Sequence, residues 1–346
     1  MNTIVVGGGI MGMMCARALN QKGHSVLLLE QDPELGSEAS WAGGGICMPI
    51  DPWTYPPEAM NLIKRGITLY PKLAQELLTE TGIDIEWRQS GLILYDSSIH
   101  AAAMQWAEQY NFPLQLLSSE QIQVLAPALA NQNKNAFWLP TVHQFRNPRL
   151  LQALKISLSN SPQVKCITSC RVNNFVQNGK FIMGVETSLG NFSADKIVIT
   201  TGAWTGNLLG ELNTTLPIFP MRGQILLWQA PANLLPCIVL DREYYLIPRA
   251  DGHILAGGTV EDVGFANEIT ETAYNNIYNA AITLVPALKN HPVVKQWSGL
   301  RPGSPIGIPF IERVGEFDNV WVNAGHYRNG LVMAPAATEM LLNLLG

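Results

Sequence analysis

Three stretches of the sequence predict an α/β protein with two kinds of sheet. Residues 3–30 contain a β-type run, a cluster of glycines, a helix-spaced segment and a second apolar strand. A second buried strand at 196–200 ends in a small-residue turn, as the first does. From 218 to 260 the pattern changes to alternating strands, with a turn at 250–252. We therefore expect a discontinuous Rossmann-type domain with a parallel sheet, and an α+β domain with a large antiparallel or mixed sheet.

The first stretch carries a dinucleotide-binding pattern, G-x-G-x-x-G, at Gly7, Gly9 and Gly12. Gly7 permits the tight turn, Gly9 lets a pyrophosphate approach the backbone, and Gly12 lets helix and strand pack closely. The helix amino terminus offers free N–H groups to phosphates, and Glu30 is suited to accept from a ribose hydroxyl. The alternative is a glycine turn without a ligand. The carboxylate of Glu30 would repel the 2′-phosphate of NADP, so the pattern allows either NAD or FAD.

Composition limits the classes of protein that the chain can be. Its 346 residues favour two domains, and 47% hydrophobic with 14% charged residues suits a compact enzyme. The net charge of -5, without a run of Lys or Arg, makes nucleic acid or an anionic membrane an unexpected partner. No leader or membrane span is recognisable, so we expect a cytoplasmic protein. The five scattered cysteines indicate reduced buried thiols, and we predict no metal site, including at Cys166 and Cys170.

Periodicity and turn residues predict the remaining elements. Ser118 and Ser119 are candidate caps for a short helix from Glu120, and Asn147 is a candidate N-cap with Pro148 at the first helical position. The other predicted helices cover 58–79, 101–110, 147–159, 272–288 and 335–345, and the other strands 85–88, 92–95, 164–172, 224–228, 238–241, 244–249, 253–260 and 320–324, with a hairpin across 178–179 and a loop at 325–330. The small-residue segment 37–46 is either a flexible linker or a surface on which a planar ligand lies against bare backbone.

Several of these segments together resemble one enzyme family. They are 7–30, the Ser-Trp-Ala-Gly-Gly-Gly-Ile loop at 40–46, and Ser-Gly-Leu-Arg-Pro-Gly at 298–303 with Gly-His-Tyr-Arg-Asn-Gly at 325–330. The segments 220–224 and 245–249 also resemble this family, and the order and spacing of the segments match it over nearly the whole chain. The sequence resembles the FAD-dependent D-amino-acid oxidase, glycine oxidase and sarcosine oxidase family, especially the glycine oxidases of thiamine (thiazole) biosynthesis. The resemblance implies FAD rather than NAD.

The resemblance also implies a division of the chain and a set of cofactor contacts. An FAD-binding domain would comprise 1–80, 146–215 and 296–346, and a substrate-binding domain 81–145 and 216–295. Besides the opening glycines, the FAD contacts would be Ile10, Met11, Glu30, Gln31, Ala39, Ser40, Ala42, Gly43, Gly44, Gly45, Val172, Gly202, His326, Tyr327, Arg328, Asn329, Gly330, Leu331 and Val332. We expect the flavin to be bound non-covalently, because no cysteine follows Cys237 and no histidine lies between His24 and His100.

For the substrate, the resemblance assigns Arg301 and Tyr245 to the carboxylate. A guanidinium can grip a carboxylate through two N–H bonds, with the tyrosine hydroxyl as a second donor. Arg328 and the helix after Gly330 would stabilise negative charge on the reduced ring, and no dedicated base is found. The alternative for Arg301 is an arginine in a surface or interdomain ion pair. Val260 is smaller than the methionine expected there in some glycine oxidases, which puts the exact substrate in doubt.

The implied reaction is oxidation of glycine, or of a small amine such as sarcosine or D-alanine, by O2. Its products would be an imine, or glyoxylate after hydrolysis, and H2O2, and the imine would feed thiazole synthesis. A homo-oligomer is expected from the same resemblance. The alternatives are a D-amino-acid or N-methyl amino-acid dehydrogenase that uses a quinone, and a flavin-binding protein that has lost activity.

Overall fold

A computed structural model describes residues 1–50, 52–95, 100–130 and 134–346. The helices in this part of the chain are α1 (Ile10–Gln21), α2 (Ala39–Ala42), α3 (Pro57–Thr81), α4 (His100–Tyr110), α5 (Ser119–Leu125), α6 (Asn147–Ser159), α7 (Thr205–Gly210), α8 (Glu271–Leu284) and α9 (Gly330–Leu345). Short 3-10 helices lie at Pro52–Thr54, Gly202–Trp204, Pro286–Asn290 and Tyr327–Asn329.

The strands in the first half of the chain are β1 (Asn2–Val6), β2 (Ser25–Leu29), β3 (Ile46–Cys47), β4 (Arg88–Gln89), β5 (Leu92–Tyr95), β6 (Gln115–Leu117), β7 (Ala136–Leu139), β8 (His143–Gln144), β9 (Val164–Ile167) and β10 (Val172–Asn178). Those in the second half are β11 (Phe181–Thr187), β12 (Gly190–Ser193), β13 (Lys196–Ile199), β14 (Phe219–Gln229), β15 (Ile238–Asp241), β16 (Tyr244–Pro248), β17 (His253–Gly257), β18 (Val293–Gly303), β19 (Phe310–Arg313) and β20 (Val320–Ala324).

A largely parallel sheet carries the glycine-rich turn. Its strand order is β19-β20-β13-β1-β2-β9, and only the β19–β20 pair is antiparallel. Helices α1, α3, α6 and α9 form one layer against it, and the antiparallel sheet β10-β11-β12 lies on the other side. Buried apolar side chains on both faces, such as Ile4 and Val5, explain why β1 reads as a continuous hydrophobic run. This confirms the predicted Rossmann-type arrangement.

A second, eight-stranded sheet has the order β18-β14-β17-β16-β15-β5-β7-β6. It is antiparallel except for the β15–β5 pair, so the predicted mixed sheet is present. Its long outer strand β18 was not predicted, and residue 296, the predicted domain boundary, falls within this strand. The small sheet β3-β8-β4 completes the described topology. Strand β18 matters because it carries Arg301, paired with Met221 of β14.

Several predicted boundaries were wrong, each for a local reason. The final helix begins at Gly330, so Pro335 lies inside it rather than in its first turn. Asn147 is the first helical residue, and its side chain bonds to a distant carbonyl instead of capping the helix. The predicted strand 85–88 shrinks to β4 because Glu86 has a φ of 59°, and Ser169, with a φ of 52°, interrupts the strand predicted at 164–172.

Two further boundaries moved, while other predictions held. The predicted helix 272–288 ends at Leu284 and gives way to a 3-10 turn, and strand β17 ends before Gly258, whose φ is 146°. Ser118 caps α5 through a complete capping box.

Cys166 is exposed, whereas Cys15, Cys47, Cys170 and Cys237 are free and buried. Within the described ranges, no helix is both long and apolar enough to cross a membrane.

Candidate active site

Two adjoining cavities contain most of the predicted site residues. The larger, of about 330 Å³, lies at the carboxyl ends of the parallel strands. Its walls include Gly7, Gly9, Ile10, Met11, Glu30, Gln31, Ala39, Ser40, Gly43, Val172, Gly202, His326, Tyr327, Arg328, Gly330 and Leu331. The smaller, of about 90 Å³, is lined by Ala42, Gly44, Gly45, Tyr245, Arg301 and Asn329 among others. Ala39, Gly43, Arg301, Arg328 and Leu331 border both cavities, which makes them parts of one site.

The glycine-rich turn leaves room for a phosphate group. Gly7 has a φ of 100°, and a Cβ there would lie 2.6 Å from the Thr200 carbonyl oxygen. A Cβ at Gly12 would overlap the Gly7 carbonyl oxygen, so Gly12 lies behind the cavity and allows the tight packing. Helix α1 begins after Gly9 without a side-chain cap. The bare backbone and uncapped helix terminus therefore suit a pyrophosphate.

Glu30 lies beside this turn and accepts hydrogen bonds from backbone amides. One carboxylate oxygen accepts from the Gly8 N–H at 2.6 Å and the other from the Asp32 N–H at 2.9 Å. Burial raises the pKa of Glu30 above its usual value, against the lowering effect of these hydrogen bonds. Each oxygen keeps a second acceptor position, so a ribose hydroxyl can donate to it while the turn stays in place.

The glycine-rich loop (residues 37–46) borders both cavities and is held by hydrogen bonds that involve side chains. The Ile10 N–H donates to Ser40 Oγ at 2.9 Å, which fixes the loop against α1. Asn147 Nδ2 donates to the Gly43 carbonyl at 2.6 Å. A Cβ at Gly43 would lie 2.7 Å from a Leu331 methyl carbon. The predicted loop is therefore a fixed wall of the site rather than a flexible linker.

Arg249 is a buried cation that sequence reasoning missed as a site residue. It donates to the Gly44 carbonyl at 2.7 Å, to Gln144 Oε1 at 2.6 Å and to the Phe145 carbonyl at 3.0 Å. Burial lowers the pKa of Arg249 to about 10, so it stays charged at neutral pH. The resemblance of segment 245–249 was the signal that could have identified it. Its role is to hold the loop by satisfying carbonyl groups.

Arg301 and Tyr245 meet in the smaller cavity. The Tyr245 side chain lies beside Arg301, and Arg301 Nη1 donates to the Thr259 carbonyl at 3.0 Å. The guanidinium lies over Gly223, where a Cβ would overlap both of its terminal nitrogens. Burial lowers the pKa of Arg301, and burial raises the pKa of Tyr245 despite the nearby arginines.

The charge of Arg301 is left without an acidic partner in the described part of the chain. No carboxylate among those residues forms an ion pair with it, which removes the alternative of an ion-pair arginine within those limits. The residues lining the smaller cavity include no Asp, Glu or His. A half-buried, uncompensated guanidinium beside a tyrosine hydroxyl is a site for a small carboxylate.

The turn before α9 presents polar groups that lack partners. Within the described residues, His326 Nε2, Arg328 Nε and Asn329 Nδ2 are buried without a hydrogen bond. Burial lowers the pKa of His326 to about 3, so its ring is neutral at neutral pH. Helix α9 starts at Gly330 without a side-chain cap and points its amino terminus at the site. These donors fit the polar edge of a flavin ring, because buried polar atoms are normally satisfied.

A few predicted contacts lie behind the cavity walls. Val332 is buried in the core, one residue beyond Leu331. Val260 does not line either cavity, whereas Met48, Ile50 and Ile225, which were not predicted, form the apolar side of the smaller one. No group of three or more potential metal ligands occurs within the described residues.

Comparison with known proteins agrees with this geometry. A family described as FAD dependent oxidoreductase matches residues 2–344. The chain is 41% identical over 342 residues to a glycine oxidase of Pseudomonas aeruginosa, which covers 99% of this chain and 94% of the relative. It is 28% identical over 349 residues to a bifunctional protein ThiO/ThiG of Trichormus variabilis, covering 99% of this chain and 52% of that protein. The crystal structure of glycine oxidase from Geobacillus kaustophilus has a TM-score of 0.93 at 27% identity, covering 99% of this chain and 94% of that one.

These similarities extend over the full length of the fold and over both cavities. They confirm the resemblance seen in the sequence and the choice of FAD over NAD. The protein belongs to the FAD-dependent oxidoreductase family, and FAD is its cofactor.

Proposed function

We propose that the protein is an amino-acid oxidase that converts glycine, and other small amines such as sarcosine or D-alanine, to the imine. The observation that carries the proposal is the Arg301–Tyr245 pair, buried in a small cavity that opens onto the FAD cavity. This cavity is the smaller of the two, about 90 Å³ against about 330 Å³ for the adjoining one. Glycine oxidases are also among the relatives that match most of the chain.

The chain's own residues would bind and orient the substrate. Arg301 would hold the carboxylate through two N–H groups, and the Tyr245 hydroxyl would donate a further hydrogen bond. Met48, Ile50 and Ile225 would exclude water from the Cα side. When bound, FAD would supply the two-electron oxidation of the substrate Cα–N bond, with O2 as the final acceptor and H2O2 as the product.

The amino group must be neutral before its lone pair can assist loss of hydride. Removal from water disfavours an ammonium ion, and the positive charges of Arg301 and Arg328 disfavour it further. The pocket therefore lowers the pKa of the amine without a dedicated base. Arg328, the unpartnered donors beside it and the α9 amino terminus would stabilise negative charge on the reduced cofactor.

When the imine is hydrolysed, the overall reaction converts glycine, O2 and water to glyoxylate, ammonia and H2O2. We also propose that the imine can be consumed in thiazole synthesis, on the resemblance to thiamine-pathway oxidases and the similarity to bifunctional ThiO/ThiG proteins. We propose the two-domain division given above, a cytoplasmic location and a homo-oligomer. Light scattering of the purified protein would measure the oligomer directly.

The experiment that tests the oxidase proposal measures H2O2 from air-saturated protein mixed with glycine, sarcosine or D-alanine. Peroxide formed in step with amine consumption supports it. Reduction of an added quinone without peroxide would favour the dehydrogenase alternative. A yellow protein that consumes none of these amines with either acceptor would favour an inactive flavin-binding protein.

A further inference from the structure

A proline interrupts the hydrogen bonding of α9 one turn from the site. Pro335 is the sixth residue of this helix, and proline has no N–H to donate. Its acceptor in a regular helix would be the carbonyl four residues earlier, which belongs to Leu331. Leu331 lines both cavities, so the unsatisfied carbonyl lies in the turn that faces the cofactor.

Tyr70 of α3 satisfies this carbonyl. Its side chain is fully buried and its hydroxyl donates to the Leu331 carbonyl oxygen. Gly66 lies one turn earlier on α3, where a Cβ would overlap the Val332 carbonyl oxygen. The glycine allows the two helices to approach until the tyrosine hydroxyl reaches α9. Burial raises the pKa of Tyr70 well above its usual value, so the hydroxyl stays a donor throughout the working pH range.

The ring of Tyr70 connects to the opposite wall of the site. It stacks on Phe145 with centroids 4.8 Å apart, and on Trp87 at 5.1 Å. The Phe145 N–H donates to the Gly45 carbonyl at 3.0 Å. Gly45 ends the glycine-rich loop that borders the smaller cavity. One residue therefore fixes both the start of α9 and, through Phe145, the loop that faces it.

We propose that Tyr70 is a positioning residue for the flavin: its hydroxyl replaces the helix hydrogen bond that Pro335 removes, and it thereby sets the spacing between the α9 amino terminus and the glycine-rich loop. The inference rests on the proposed function in one respect, because it requires that the flavin ring lie between these two segments. Tyr70 lines neither cavity and acts through Leu331 and Phe145.

The test uses the holoprotein and three variants: Tyr70→Phe, Pro335→Ala and the double variant. The readouts are the FAD released on dilution, followed by flavin fluorescence, and the visible spectrum and reduction potential of the bound flavin. Loss of a buried hydrogen bond in Tyr70→Phe should raise the FAD dissociation constant about tenfold. Pro335→Ala should leave FAD binding unchanged while Tyr70 is present. In the double variant the new N–H of residue 335 replaces the hydroxyl, so binding should return to within about twofold of the parent.

A matched control is Tyr278→Phe, which alters another stacked tyrosine, packed on Trp228 away from both cavities. It should change neither the spectrum nor FAD release. The proposal is overturned if Tyr70→Phe binds FAD as the parent does, or if the double variant is as weak as Tyr70→Phe. Should Tyr70→Phe fail to fold, recovery of a folded, yellow double variant supports the proposal, and an unfolded double variant overturns it. None of these readouts involves glycine, so failure of the proposed substrate would be seen separately.

Discussion

Replacement of Arg301 by alanine should weaken substrate binding without destabilising the folded protein. The half-buried guanidinium lacks an ion-pair partner among the described residues, so its removal leaves no opposite charge stranded. The free energy of unfolding should therefore stay constant or rise, because an uncompensated, partly desolvated cation has been removed. FAD should be retained, because Arg301 bonds to the Arg222 and Thr259 carbonyls, whereas Glu30 is held separately by the Gly8 and Asp32 amides.

The loss of substrate affinity depends on the polar groups that remain in the pocket. Loss of one partner of a buried charge pair costs about 2 to 5 kcal/mol, or about 30-fold to a few thousand-fold in kcat/KM. We expect the lower half of this range, because Tyr245 and Arg328 still face the carboxylate. Lysine at this position should recover part of the loss, since it restores the charge but not the planar fork.

Steady-state kinetics with glycine, flavin content and thermal unfolding would be measured on Arg301→Ala, Arg301→Lys and a control. Arg313→Ala is suitable as the control, because Arg313 is exposed and pairs only with Asp318 at 3.5 Å among the described ion pairs. Arg301→Ala with an unchanged kcat/KM for glycine would refute the assignment of this residue to the carboxylate.

Three other changes test separate parts of the site. Gly223→Ala should displace the Arg301 guanidinium and raise the KM for glycine by about tenfold or more with FAD intact, and a KM equal to the parent's would show that the close approach is unimportant. Gly12→Ala should be purified without flavin absorbance because its methyl group overlaps the turn, whereas Gly210→Ala, with nothing within 4 Å, should stay yellow. His326 is neutral in the folded protein but protonated in the unfolded chain between its folded pKa of about 3 and its ordinary 6.5, so stability should fall as pH falls through this window. The Tm of His326→Asn should depend less on pH there, and an identical pH profile would argue against this burial effect.

Local patterns were sufficient to predict the parts of the fold whose signals lie in consecutive residues. The turn at Gly7–Gly12, the buried strands around it and the alternating strands of the second sheet are of this kind. Their geometry depends on backbone freedom and side-chain periodicity, which a short window of sequence contains. The resemblance then placed Arg301 and Tyr245, and the structure brings them together across separate strands, β18 and β16.

Contacts between distant residues were not predictable in this way. Asn147 was read as a helix cap because Pro148 follows it, yet its amide binds the Gly43 carbonyl, 104 residues away in the chain. The helix predicted at 335–345 starts with Pro335, as is common for a first turn, but Pro335 lies inside α9 and its acceptor carbonyl is satisfied by Tyr70. Both errors have one physical cause: a tertiary partner satisfied a backbone group that local reasoning assigned to a neighbour in sequence.

The central claim, that this FAD-dependent protein oxidises glycine in the Arg301 pocket, is tested most directly by mixing the purified yellow protein with small amino acids without oxygen. Glycine should bleach the visible absorbance of the oxidised flavin, and air should restore it with release of H2O2. Bulky amino acids should leave the flavin oxidised, because Met48, Ile50 and Ile225 wall the apolar side of the smaller cavity. A flavin that stays oxidised with glycine, sarcosine and D-alanine alike would contradict the account.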